Sequence, residues 1–286
     1  MTSAKRLPIL FSLFALYVIW GSTYFAIRIG VAAWPPLMMA GVRFLIAGLL
    51  MFGWLKWRGA PNPSWRETAG AALLGLLMPG IGNGLVTMAE THVSSGIAAL
   101  VVATVPLFTT LFARFLGHTT RPKEWLALLL GFAGIVVLNF GSNLAASPVG
   151  ALLLILACVG WALGSALSKK VRQPAGMMSS AVMMLCAGVE LLLASQLCGE
   201  HLVAWPGFAG WAAVLYLVVF GSIIAYSAYI YLLGHVSPAL ATSYAYVNPV
   251  IAVLLGMTLL GEQVGRQEWL GMAVIVSAVL LLAWRR

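Results

Sequence analysis

Residues 92–112 read HVSSGIAALVVATVPLFTTLF and residues 235–255 read HVSPALATSYAYVNPVIAVLL, so one stretch occurs twice at a constant offset of 143 that lays Pro106 on Pro249. One residue out of that register, Glu124-Trp125-Leu126 falls on Glu268-Trp269-Leu270. A period of half the 286-residue chain is too long for a solenoid unit and divides the protein into two related halves, 1–143 and 144–286. In a membrane chain, paired halves of this kind point to transport.

Composition supplies the membrane. Hydrophobic residues make up 62% of the chain and charged residues 8%, whereas soluble domains carry about 25% charged residues. Crossing the hydrocarbon layer takes about 20 apolar residues per helix. Ten runs qualify, at roughly 9–27, 36–55, 68–90, 95–115, 125–142, 148–168, 177–197, 208–233, 239–260 and 267–284. The first follows Lys5-Arg6 but is too long and too aromatic for a cleaved signal, and it lacks a small-residue cleavage site, so it stays as a membrane helix. The expected fold is therefore all-α integral membrane.

Charge sets the orientation. With the N-terminus in the cytoplasm, thirteen Lys and Arg residues fall on the inner side and only Arg28 and Arg266 on the outer side, with Arg43 inside a helix. The positive-inside rule then places both termini in the cytoplasm. The net charge of +9 is a topology signal with affinity for anionic lipid heads, and it calls for no nucleic-acid partner. Five helices per half is an odd number, so the second half enters from the opposite side. Two inverted five-helix repeats result, an arrangement that supports alternating access.

Helix breakers and polar groups at mid-depth mark a candidate site. Pro79, Gly80, Gly82, Asn83 and Gly84 interrupt the third segment. Proline removes a backbone hydrogen bond and glycine permits close approach, so this helix loosens there or crosses a neighbour closely. Pro106 and Pro249 are expected to free the carbonyls of Val102 and Ala245, and with Gly80 and Gly82 they form the expected hinge set. Trp20 and Trp161, related at an offset of 141, lie inside the bilayer rather than in its aromatic belts and suggest walls of a hydrated cavity, with Tyr24 beside the first. Tyr226, which the 143 offset pairs with Asn83, joins Tyr246 and Asn248 in the same set. Arg43 reads as a snorkelling or carbonyl-capped structural cation. Glu90 reads as an interfacial or capping carboxylate, and Glu190 as one that burial would keep protonated.

Catalytic signatures do not stand out. The chain has no HExxH, no Walker A loop and no aspartate at all, and Cys158, Cys186 and Cys198 lack CxxC spacing, so no metal and no cofactor are expected. A membrane enzyme remains the alternative, built on Glu90, His92, Glu190 and His235 should they converge, and a non-transporting sensor is a third reading.

Several stretches carry a family resemblance. WGSTYFAIR at 20–28, RFLIAG at 43–48, the repeated stretches from Val93 and Val236, and GEQVGRQEWLG at 261–271 together resemble the ten-helix EamA-type exporters of the drug/metabolite transporter superfamily over the whole chain. The resemblance implies a central cavity lined by helices 1, 3, 4, 6, 8 and 9, with 5 and 10 peripheral. It implies export of amino acids, other amphipathic metabolites or toxic cations. Carried over by position, Trp20, Asn83 and Trp161 line that cavity, and Pro106 and Pro249 lie in its flexible helices. The expected partners are the lipid bilayer and a small-molecule substrate, held between Trp20, Trp161, Tyr226 and Tyr246 and oriented by Asn83, Asn248 and the Val102 and Ala245 carbonyls. No buried basic residue is expected in that layer. The oligomeric state is left open, a monomer being compatible with the pattern.

Overall fold

The computed structural model describes residues 3–138, 147–260 and 265–283; the expected junction at 143/144, residues 261–264 and Arg285-Arg286 lie outside them. The described chain forms ten helical spans. They are α1 (Ser3–Val31), α2 (Pro36–Trp57), α3 (Trp65–Ala89), α4 (Ser95–Phe115), α5 (Pro122–Leu138), α6 (Pro148–Leu167), α7 (Met177–Leu197), α8 (Phe208–His235), α9 (Pro238–Ala241 and Tyr244–Leu260) and α10 (Arg266–Ala283). Seven are long and apolar enough to cross a membrane by length and composition, while α5, the longer piece of α9 and α10 run 17 to 18 residues.

Local chemistry sets the starts of these helices. Ser64 and Glu67 form a capping box ahead of α3. Ser94 and Ser237 cap α4 and α9, each accepting from a backbone N–H three residues on, and they are related at the 143 offset. At α2, which begins Pro36-Leu37, the free N–H groups of Leu37 and Met38 donate at 3.1 and 2.8 Å to the Glu200 carboxylate from the α7–α8 connection.

Packing follows a two-fold relation between the halves. The most extensive contacts, α2 with α7 and α5 with α10, pair each helix with its own repeat counterpart. The others come as matched pairs across the halves: α1 with α9 and α6 with α4, α1 with α8 and α6 with α3, α2 with α8 and α7 with α3. The halves are thus interleaved rather than side by side. At the α2–α7 crossing the backbones nearly touch, since a Cβ on Gly188 would lie 2.5 Å from the Leu45 amide and one on Gly48 would lie 2.7 Å from the Leu185 amide. Gly188→Val is therefore expected to cost about 1–3 kcal/mol as overpacking against rigid backbone. A broadened or aggregated size-exclusion profile in detergent checks this, with Gly53→Ala, which meets nothing within 4 Å, as the tolerated control.

The loosening expected in α3 takes a definite form: residues Leu76–Asn83 are π-helical, and Leu217–Ile224 in α8 are π-helical at an offset of 141. Pro79 explains the first, because a ring without an N–H fits a widened turn. The second has no proline.

The proline hinges differ from expectation. In α4 the helix breaks at Ala103–Thr104, and Pro106 sits in the first turn of the following piece, where a missing N–H costs nothing. The carbonyl that gains side-chain donors there is that of Val101, which accepts from the Thr104 hydroxyl at 2.7 Å and the Cys158 thiol at 3.5 Å, rather than that of Val102. In α9 the break comes at Thr242–Ser243, before Pro249, which lies inside the continuous piece Tyr244–Leu260. Both hydroxyls fold back on the preceding turn, Thr242 to the Pro238 carbonyl and Ser243 to the Leu240 carbonyl, each at 2.8 Å.

Candidate functional site

Where the two halves interleave, a cavity opens with about 510 Å³ of atom-free space, its mouth included. The enclosed volume proper is about 60 Å³, so the cavity is narrow in this conformation. Helix α1 contributes Trp20, Thr23, Tyr24 and Ile27, and α3 contributes Gly82, Asn83 and Val86. Val102 and Val105 come from α4, Ala157, Cys158 and Trp161 from α6, and Tyr244 and Asn248 from α9. The sixth helix is α2, through Arg43.

Trp20 and Trp161 meet edge to face, their ring centroids 5.4 Å apart, so the repeat-related tryptophans touch across the two-fold relation. Trp20 also contacts Tyr244 at 4.5 Å and Tyr229 at 5.3 Å. Both indoles are satisfied while their rings face the cavity: Trp20 Nε1 donates to the Gly221 carbonyl in the π segment of α8 at 3.0 Å, and Trp161 Nε1 donates to the Tyr229 hydroxyl at 3.1 Å. Gly82 is the space that admits Trp161, because a Cβ there would lie 2.7 Å from the Trp161 ring.

Arg43 corrects the sequence reading. It is 2% exposed, and it neither snorkels nor caps a carbonyl. Its Nε donates to Ser222 Oγ at 2.8 Å and its Nη1 to Asn83 Oδ1 at 3.2 Å, linking the π segments of α3 and α8. Gly221 leaves room for the guanidinium, since a Cβ there would come within 2.9 Å of Nη2. A buried basic residue does stand in the cavity layer.

Three other expected residues stand elsewhere. Tyr226 is fully buried behind Trp161, its hydroxyl against Met183 Sδ at 3.2 Å, because the structural offset in α8 is 141 and not 143. Tyr246 turns to α5, donating to the Leu128 carbonyl at 3.0 Å with its ring over Gly131. Ala245 is buried off the lining. Helix α8 thus contributes no lining side chain, and α2 takes the place expected for it. Of the hinge set, Gly82 lines the cavity, whereas Gly80 faces Glu190 on α7. Tyr244, Thr23 and Cys158 are lining residues outside the expected set. Tyr244 lies two residues from Tyr246, and a 3.6-residue turn puts the two on opposite faces.

The remaining ionisable groups do not converge. Glu90 is fully buried, both carboxylate oxygens without a hydrogen-bond partner among the described residues, and the Arg28 guanidinium donates to its backbone carbonyl. Glu190 leaves Oε2 unpartnered. His235 stacks on Tyr231 at 4.0 Å. Among the described residues no three His, Cys, Asp or Glu side chains come together. Past the end of α6, Lys169 donates to the Val236 carbonyl at 3.2 Å, and burial holds its ammonium below the ordinary lysine range.

Comparison with known proteins agrees with this architecture. The EamA-like transporter family matches residues 7–140 and 148–284, one match in each half. The chain is 56% identical over 283 residues to the inner membrane transporter YedA of Escherichia coli (strain K12), covering 99% of this chain and 92% of that one. It is 29% identical to the protein PecM of Dickeya dadantii (strain 3937), over 94% of this chain and 91% of the relative. A solved crystal structure with 23% identity shares the fold, with a TM-score of 0.80 over 96% of this chain and 98% of its own. With two family matches that span nearly its whole length, the chain belongs to the EamA-like transporter family.

Proposed function

We propose that this protein exports amino acids or other small amphipathic metabolites from the cytoplasm across the inner membrane, by alternating access through the central cavity. The observation that carries the reading is the cavity's composition: both halves wall it, and its centre is an aromatic junction made by one tryptophan from each. A rocking of one half against the other would open such a junction toward either side, and inverted repeats make the two openings structurally alike. Trp20, Trp161 and Tyr244 offer apolar and cation-attracting faces, and Asn248 offers an amide. In this reading Tyr226, Tyr246 and Ala245 support the wall from behind. The breaks at Ala103–Thr104 and Thr242–Ser243, with Pro106 and Pro249 beyond them, are where α4 and α9 flex.

The test is uptake of a panel of labelled amino acids into proteoliposomes holding the purified full chain, with and without a pH gradient. Saturable flux that unlabelled solute competes supports the reading; flux equal to that of empty liposomes across the panel overturns it. Orientation is checked separately. In a Cys198→Ser background, which removes the exposed native thiol at the outer end of α7, cysteines placed at position 2 and after Arg286 are expected to resist an impermeant thiol reagent in intact cells and to react after lysis. Labelling of either in intact cells contradicts cytoplasmic termini.

A further inference from the structure

Arg43 is a cation deep in a membrane protein with only neutral partners. Its two hydrogen bonds go to an amide oxygen and a hydroxyl, and no carboxylate among the described residues pairs with it. Burying a charge without a counter-charge is costly, and such residues inside membranes face cavities or solute pathways. Arg43 faces the cavity.

The repeat shows that the fold itself does not require this arrangement. Helices α2 and α7 start at Pro36 and Met177, and the two π segments start at Leu76 and Leu217, so both pairs keep an offset of 141. At that offset Arg43 corresponds to Met184, Asn83 to Ile224 and Ser222 to Ile81. At the repeat-related positions, the cation and both of its polar supports are replaced by apolar residues. A cation needed only for packing would have no reason to appear on one side alone.

The supports also orient it. Ser222 and Asn83 accept from Nε and Nη1, and the absence of a Cβ on Gly221 lets the guanidinium pack close to the α8 backbone, with the Thr23 methyl nearby. Elsewhere in the same lining, the Asn248 amide interacts with the Tyr24 side chain, and its buried Oδ1 has no hydrogen-bond partner among the described residues. The aromatic faces of Trp20 and Trp161 complete the cavity.

We infer that the Arg43 guanidinium, held by Asn83 and Ser222 on the cavity wall, binds the carboxylate of the transported solute. The solute class is then small carboxylates and zwitterions with an apolar group for the aromatic junction and an N–H donor for Asn248. Lipophilic cations without a carboxylate are excluded as preferred substrates. This rests on the transport reading above.

The experiment uses the purified full chain in detergent and measures thermal unfolding by tryptophan emission at matched ionic strength. The probes are phenylacetate and 3-methylbutanoate, each against its own uncharged amide, with phenethylammonium as the cationic counterpart. In the wild type the carboxylates are expected to raise the unfolding temperature by about 2 °C or more beyond their amides at saturating concentration. Arg43→Gln should lose that difference, and Arg43→Lys, which keeps the charge but not the fork, should retain part of it. Equal shifts for carboxylates, amides and amine in the wild type overturn the inference without any variant, as does no shift at all. A carboxylate preference that survives in Arg43→Gln also overturns it. Proteoliposome flux separates the two readings. Flux without carboxylate preference removes the Arg43 site and leaves transport standing; carboxylate preference without flux keeps the site and removes transport.

Discussion

Trp161→Ala is expected to bring flux in proteoliposomes down to the background of empty vesicles and to weaken solute binding roughly tenfold, the loss of about 1.4 kcal/mol of aromatic contact. The ring touches Trp20, Tyr229 and Tyr226 at centroid distances of 5.4, 5.5 and 6.2 Å and lies over Gly82. Its removal empties the centre of the junction. Truncating a buried tryptophan also costs about 3–5 kcal/mol of stability, so the fraction of monodisperse protein must be measured beside the flux. Trp161→Phe separates the two effects. It keeps an aromatic ring in the junction while removing the N–H that bonds the Tyr229 hydroxyl together with part of the indole's packing, and that hydroxyl still holds its 2.6 Å contact with Ser165 Oγ. That variant is expected to fold, to bind within about threefold of wild type, and to transport more slowly. Wild-type flux in Trp161→Ala would mean that solute does not pass the junction.

Gly82→Val and Gly221→Ala form the second expected result, and both act through space rather than chemistry. A Cβ on Gly82 would lie 2.7 Å from Cε3 of Trp161, and one on Gly221 would lie 2.9 Å from Arg43 Nη2 and 3.1 Å from Thr23 Cγ2. Overpacking of this sort costs about 1–3 kcal/mol. In Gly82→Val the branched side chain also enters the cavity and is expected to abolish flux, even in the fraction that remains folded. Gly221→Ala moves the guanidinium instead. It is expected to preserve the fold and reduce flux by roughly tenfold, the equivalent of 1.4 kcal/mol at the site. Gly80→Ala is the contrast. Its Cβ would meet only the Gly75 carbonyl at 3.1 Å and Glu190 Oε2 at 3.5 Å, away from the lining, so flux should stay near wild type. Measuring monodispersity and flux on all three variants tests the set; equal flux in the Gly80 and Gly82 variants would contradict the placement of the cavity.

The repeated stretch made the architecture legible because an offset shared by many residues survives local change. The pairing of Trp20 with Trp161, at an offset of 141, is legible because both are tryptophans at mid-helix positions, and the contact between them follows from a two-fold relation between the halves. The offset failed where it was carried too far. Ser94 and Ser237 differ by 143 and the π segments by 141, so α8 holds two residues more than α3 between the π segment and the following cap, and Tyr226 falls out of Asn83's layer. Sequence does not tell Tyr244 from Tyr246, because aromatic residues two apart in an apolar run give no sign of which face meets the cavity. Depth alone does not distinguish lipid from protein around a helix, so the sequence reads Arg43 as a structural cation. A signal was present: at the offset of 141 its counterpart is Met184. The π segment of α8 was not legible at all, since no proline announces it.

The interleaved backbone is even-handed, yet the trio of Arg43, Asn83 and Ser222 has no polar image in the other half. On the binding proposed above, an anion held at Arg43 has no equivalent site in the other half, so the two open states are not expected to hold it equally. A state that binds more tightly is populated in proportion to that difference. On that proposal, any sidedness of binding belongs to side chains rather than to the helices that carry them. A gradient sets which way net flux runs, and the lone charge sets only which open state holds the solute longer.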